Sequence, residues 1–245
     1  MGKILGCVGC IGCLGVVIIA GIIAAAAVGL LPAVANLLQF DTPRDLGIKY
    51  SVEESVAAHK KAGNVQMIEL PTDTAFARSY RVEGSRPAKF TMDSRELSAH
   101  LSNRPWKYWP LEHVQVRINP DGSVEGSAVV NAEKLLAYTE AIGFKTEDVK
   151  AAMNQYHIPF RNLAAYAKGA GSVKDNKVNM TIDSVTVGPI PIPGSVIADN
   201  TSRVIDVIET ALSRIPSVQI QSLVFEDGVA KFDGTTPEKE YVVMK

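Results

Sequence analysis

From Ile4 to Leu31 the chain carries no charged side chain and nothing more polar than cysteine. As a helix these 28 residues would run roughly 42 Å, against the roughly 20 residues that cross a bilayer core. Lys3 and the amino terminus are the only charges before the segment, and Asp41 precedes Arg44 after it. The positive-inside rule therefore predicts a cytoplasmic N-terminus, with everything past about Gln39 on the outer side. Pro32 to Ala35 resembles a small-residue cleavage site, but a cleaved signal has an apolar stretch of roughly 7–15 residues. A retained anchor over residues 1–38 is expected, followed by a stalk and membrane-proximal helix/strand region over 39–88. An extracytoplasmic α+β domain is expected over 89–245.

All three cysteines, Cys7, Cys10 and Cys13, fall at the membrane edge of this segment. The outer part thus cannot be a disulfide scaffold and must rely on an ordinary core. Without a fourth ligand the cysteines do not predict a metal site; packing of small residues or reversible acylation suits them better. Glycines at 6, 9, 12 and 15 would also permit close helix–helix approach. Setting Lys3 aside leaves 24 basic against 26 acidic residues, dispersed rather than striped. That distribution offers no field for nucleic acid.

Beyond the stalk, Ser51 with Glu54 and Asp93 with Glu96 read as capping boxes that open helices. Val114, Val116 and Ile118 alternate with polar residues, and Asn119-Pro120-Asp121-Gly122 turns the chain into a returning strand. Helices are expected at 132–142 and 147–156. Val178, Met180 and Ile182 alternate, then Val185 and Val187 continue in the opposite phase, which predicts a bulge near Asp183-Ser184. The Pro-Ile-Pro-Ile-Pro run at 189–193 excludes a central strand, and a long amphipathic helix is expected from about 195 to 214. Pro110 precedes Asp121-Gly122 by the interval that separates Pro216 from Asp227-Gly228, so a duplicated helix-hairpin unit is one reading of the chain.

No catalytic constellation emerges. His59, His100, His113 and His157 are scattered, and no nucleophile elbow or phosphate loop is present. A noncatalytic protein without metal or cofactor is expected. Trp106, Tyr108 and Trp109 form the densest aromatic cluster and could meet a headgroup layer or a ligand, or close a helix end as a hydrophobic wedge. Ile190 and Ile192 could form a stiff lip at a pocket mouth.

Three stretches carry a resemblance: Asp93 to Leu101, the Val114–Ile118 hairpin, and Val187-Gly188-Pro189-Ile190-Pro191-Ile192-Pro193 leading into the long helix. Together they resemble the YpmS-type family of single-anchor bacterial surface proteins. Ile215-Pro216-Ser217-Val218 with its Asp-Gly hairpin is similar to the LmeA-type phospholipid-binding proteins of the cell envelope. The likeness spans about Phe90 to Thr236 and implies a curved sheet wrapped on helices, with an apolar groove. The expected fold is thus a twisted antiparallel sheet on long helices, and the expected role is holding a lipid or other apolar envelope molecule. The alternative is a scaffold that recruits envelope-assembly proteins without any small-molecule ligand. A binding module would enclose several hundred Å³ of apolar space, whereas a scaffold would be filled.

Overall fold

The computed structural model describes residues 41–143, 145–147, 150–151, 162–215 and 217–245. The expected anchor, its three cysteines and most of the helix expected at 147–156 lie outside those residues. Among the described residues no helix is long and apolar enough to cross a membrane.

The described chain is α+β, with four helices and mostly antiparallel sheets. Helix α1 (Val52–Lys61) precedes strand β1 (Gln66–Glu69), a 3-10 turn (Phe76–Arg78), β2 (Tyr80–Glu83) and β3 (Arg86–Asp93). Helix α2 (Ser94–Ser102), strands β4 (Leu111–Ile118) and β5 (Ser123–Val130), and helix α3 (Ala132–Ala141) follow. The remainder is β6 (Leu163–Lys174), β7 (Lys177–Val187), β8 (Ile190–Pro191), α4 (Gly194–Ser213), β9 (Gln219–Glu226), β10 (Val229–Thr236) and β11 (Lys239–Val242). Both capping boxes form: Ser51 and Asp93 each accept an N–H of the first turn, and Glu54 and Glu96 reach back to the cap N–H.

The large sheet runs β3-β10-β9-β6-β5-β4, with β7 on the opposite edge of β6 and β8 beyond it. Strand β6 organises this arrangement. Its residues 163–170 pair with β5, and then Ser172 to Lys174 pair with β9 along the same edge. Two hairpins, β4-β5 and β9-β10, consequently meet tip to tip. A Cβ on Gly122 would lie 2.6 Å from the Phe225 carbonyl, so the tips touch through backbone. Three register shifts curve the sheet, at Glu112/Gln115, Asp233/Gly234 and Lys168/Gly169. At the last, Lys168 faces Ser184 while Gly169 faces Ile182, which leaves Asp183 as the extra residue and reverses the phase of β7.

Helix α4 packs along β7 and buries Ile197, Val204, Ile208 and Leu212 at helical spacing. Helix α2 lies against β4, and α1 lies against α2. The segment before β3 is joined to the rest through a second sheet, β1-β11-β2, in which β11 pairs parallel to β1 and antiparallel to β2. Residues 44–48 cross the outer face of β4 to β6. Gln115 Oε1 accepts from the N–H groups of Leu46 and Ile48, Arg117 donates to the Leu46 carbonyl, and the Arg44 guanidinium sits 4.3 Å above the Tyr166 ring. Leu46 is 3% exposed, so the stalk is docked here rather than free.

Candidate functional site: an apolar pocket at the sheet fork

Where β6 changes partner from β5 to β9, Gly171 has no cross-strand neighbour on that edge, because Ala170 pairs with Ser123 and Ser172 with Val224. A pocket opens at this fork, about 100 Å³ in volume. Strand β5 contributes Val124 and Gly126, β9 contributes Leu223 and Phe225, and β10 contributes Ala230. Val178, Met180 and Ile182 of β7 form one wall. Leu97 of α2 and Ile208 of α4 close the floor, so both helices and the sheet share the site.

Small residues make the space. Gly169 and Gly171 approach β7 so closely that a Cβ on Gly171 would sit 2.9 Å from the Asn179 carbonyl and 3.0 Å from the Met180 side chain. With Ala167 and Ala170 beside them, the β6 wall has almost no side-chain bulk. Val178, Met180 and Ile182 are each half-buried, a row of apolar side chains packed against the core and bordering the hollow. Lys168 is the one charged residue among the lining, and the walls are otherwise aliphatic, aromatic or weakly polar. Such a site can desolvate an apolar group and has no acid–base pair to act on it.

A second hollow of about 470 Å³ is an open depression lined by one stretch, Leu70 to Arg81, in which Asp73, Arg78 and Arg81 share the walls with Leu70, Pro71 and Ala75. Among the described residues, no group of three or more His, Cys, Asp or Glu converges on a metal-sized site.

The structure separates the residues singled out in the sequence. Trp106 and Trp109 are 2% and 3% exposed, and they pack with Tyr80 and Tyr138 at ring-centroid distances of 4.8–5.8 Å. Trp109 Nε1 donates to the Leu101 carbonyl at 2.7 Å. Both indoles close the end of α2 as a hydrophobic wedge, and neither can reach a headgroup layer without unfolding that corner. Tyr108 is half-buried, stacked edge-on with the exposed Phe76 at 5.0 Å. Ile192 is buried, and its N–H donates to the Val185 carbonyl, while Ile190 stays half-buried in β8. Neither isoleucine lines the pocket at the fork.

The pocket residues that sequence reasoning passed over had one visible signal. The Ala-Lys-Gly-Ala-Gly run at 167–171 offers no bulk opposite the alternating Val178, Met180 and Ile182. No family model, no curated protein and no solved structure matches the chain.

Proposed function

We propose that this is a membrane-anchored, extracytoplasmic, noncatalytic protein whose fork pocket holds part of a lipid or other apolar envelope molecule. The observation that carries the reading is the unfilled, aliphatic hollow between Met180, Ile182, Phe225 and the floor residues Leu97 and Ile208. Natural cores are packed to crystal-like density, so half-buried apolar walls facing open space favour an occupant. The volume sets what fits. An apolar cavity of about 150 Å³ takes benzene, and pockets for drug-sized ligands run about 300–1,000 Å³. At about 100 Å³ the site suits one end of an aliphatic chain, not a whole lipid. The resemblance to LmeA-type envelope proteins belongs to the same proposal, as does the anchor over residues 1–38.

That small volume favours a second reading, the scaffold without a ligand, in which the pocket is a packing imperfection at the hairpin junction. Titration of the full-length chain in detergent micelles with N-phenyl-1-naphthylamine separates the two. Saturable fluorescence enhancement, displaced by a fatty acid, supports the ligand reading. A signal no greater than that of empty micelles supports the scaffold.

A further inference from the structure

Helix α1 sits on a poorly compensated seat. Its one buried side chain is Ala58, while Val52 and Val56 are exposed. Two ion pairs tie it to α2, Glu54 with Arg95 at 2.8 Å and Lys61 with Glu96 at 2.5 Å. In each the basic partner is about half exposed, so solvent screens the attraction. Between the helices the rings of His59 and His100 stack at 6.4 Å, with His59 Nε2 held 2.9 Å from the Val65 carbonyl. His100 is 9% exposed. Arg104, paired with Glu240 at 2.9 Å, follows just beyond the end of α2.

The end of α1 covers a second mismatch. Arg86 Nε and Nη2 and Thr236 Oγ1 are buried without a hydrogen-bond partner. All three face Gly63: a Cβ there would be 3.4 and 3.5 Å from the two arginine nitrogens and 2.9 Å from the threonine oxygen. Arg86 and Thr236 are direct cross-strand neighbours, so the strand pairing holds both groups in place under the turn. A buried, unpaired guanidinium edge opposes docking at every pH, because its charge never leaves.

We infer that α1 is an acid-released clasp, which leaves α2 and β3 as pH falls while the large sheet stays folded. Burial first, then Arg104 and His59, hold the His100 imidazole down to about 3 from an ordinary value of 6.5. Lifting α1 returns that ring to water. The undocked form therefore gains a proton that the docked form refuses, and its population rises about tenfold per pH unit below 6.5. The surrounding charges set the direction. Beside His59, Lys61 of α1, Arg95 of α2, Arg104 just past its end and Arg86 of β3 are cations, and they are opposed by Glu54, Glu96 and Glu240. A proton added to His100 thus meets a cluster with more cations than anions.

Hydrogen exchange of the full-length chain in detergent micelles, from pH 7 to 4.5 and corrected for intrinsic rates, tests this. The expected result is that protection over residues 52–62 falls about tenfold per unit below 6.5 and stays well below that of residues 163–174 at every pH, because α1 opens without the sheet. Flat protection of α1, or α1 protection equal to that of β6, overturns the inference. His100→Gln should flatten the α1 profile if the variant folds. The wild-type profile decides the question by itself if it does not.

Discussion

Ser98 Oγ, in the middle of α2, accepts the backbone N–H of Val116 in β4 at 2.8 Å and donates its own proton to the Ser94 carbonyl. Ser94 accepts likewise from the Ile118 N–H, and Ser102 from the Val114 N–H. The register follows from geometry: four residues of helix rise about 6 Å, and two residues of strand advance about 6.6 Å. Serines at every fourth helical position therefore match alternate N–H groups of the outer strand. The ladder closes a sheet edge that would otherwise offer itself to another chain.

Ser98→Ala should lower stability by about 1–3 kcal/mol, since it strands a buried backbone donor. Urea denaturation monitored by circular dichroism would show it. A loss within a few tenths of a kcal/mol would mean that the edge is satisfied in another way.

Glu240→Gln should also be destabilising, by about 3–5 kcal/mol, because Glu240 and Arg104 are 3% and 11% exposed and the change removes the carboxylate charge from a buried ion pair. Arg86→Met should instead stabilise the chain, by removing donors that have no partner beneath Gly63. Thermal melts of the two variants should therefore shift in opposite directions.

Acid should weaken the fold well above the carboxylate range. His100 titrates lower in the folded chain than in the unfolded one, so its contribution is intact above pH 6.5 and declines as pH drops toward 3. The slope is about 1.4 kcal/mol per pH unit, or about 2 kcal/mol lost by pH 5. Denaturation midpoints at pH 7 and 5 should differ accordingly, and in His100→Gln they should converge.

Gly122→Ala tests the tip-to-tip contact. Its φ of 83° costs a side chain about 1–2 kcal/mol, and the added carbon would stand 2.6 Å from the Phe225 carbonyl. We expect a loss of more than 2 kcal/mol together with altered dye binding at the adjacent fork. Gly228→Ala, whose Cβ would lie 3.8 Å from the Ile118 carbonyl, should show the backbone strain without the clash.

Much of this fold is legible along the chain, and the exceptions share a cause. Capping boxes, Asp-Gly hairpins, the bulge at Asp183 and the long helix at 194–213 depend on neighbours within a few residues, so local chemistry specifies them. Strand β6 is not legible along the chain, although it pairs with β5, β7 and β9, because Ala-Lys-Gly-Ala-Gly shows neither alternation nor β-branching. Its glycines answer to carbonyls of Asn179 and Thr181, which only the folded sheet supplies. The tryptophans illustrate the same limit. Their clustering is visible in sequence, but their burial is set by Tyr80 and Tyr138, which come from opposite sides in the chain. The pocket was beyond reach for that reason, since it exists only where two hairpins separated by about a hundred residues abut.

Ala167→Phe should fill the fork pocket, because residue 167 lies in its wall and the added ring occupies most of the space. Dye affinity should fall at least tenfold, with the melting temperature changed little.

Native mass spectrometry of the full-length chain, extracted from its host membrane in detergent, tests the pocket's occupancy most directly. The account predicts a bound apolar molecule of defined mass that is absent from Ala167→Phe. A bare chain in both proteins, with wild type and variant indistinguishable in dye binding, would contradict it and leave the scaffold reading in its place.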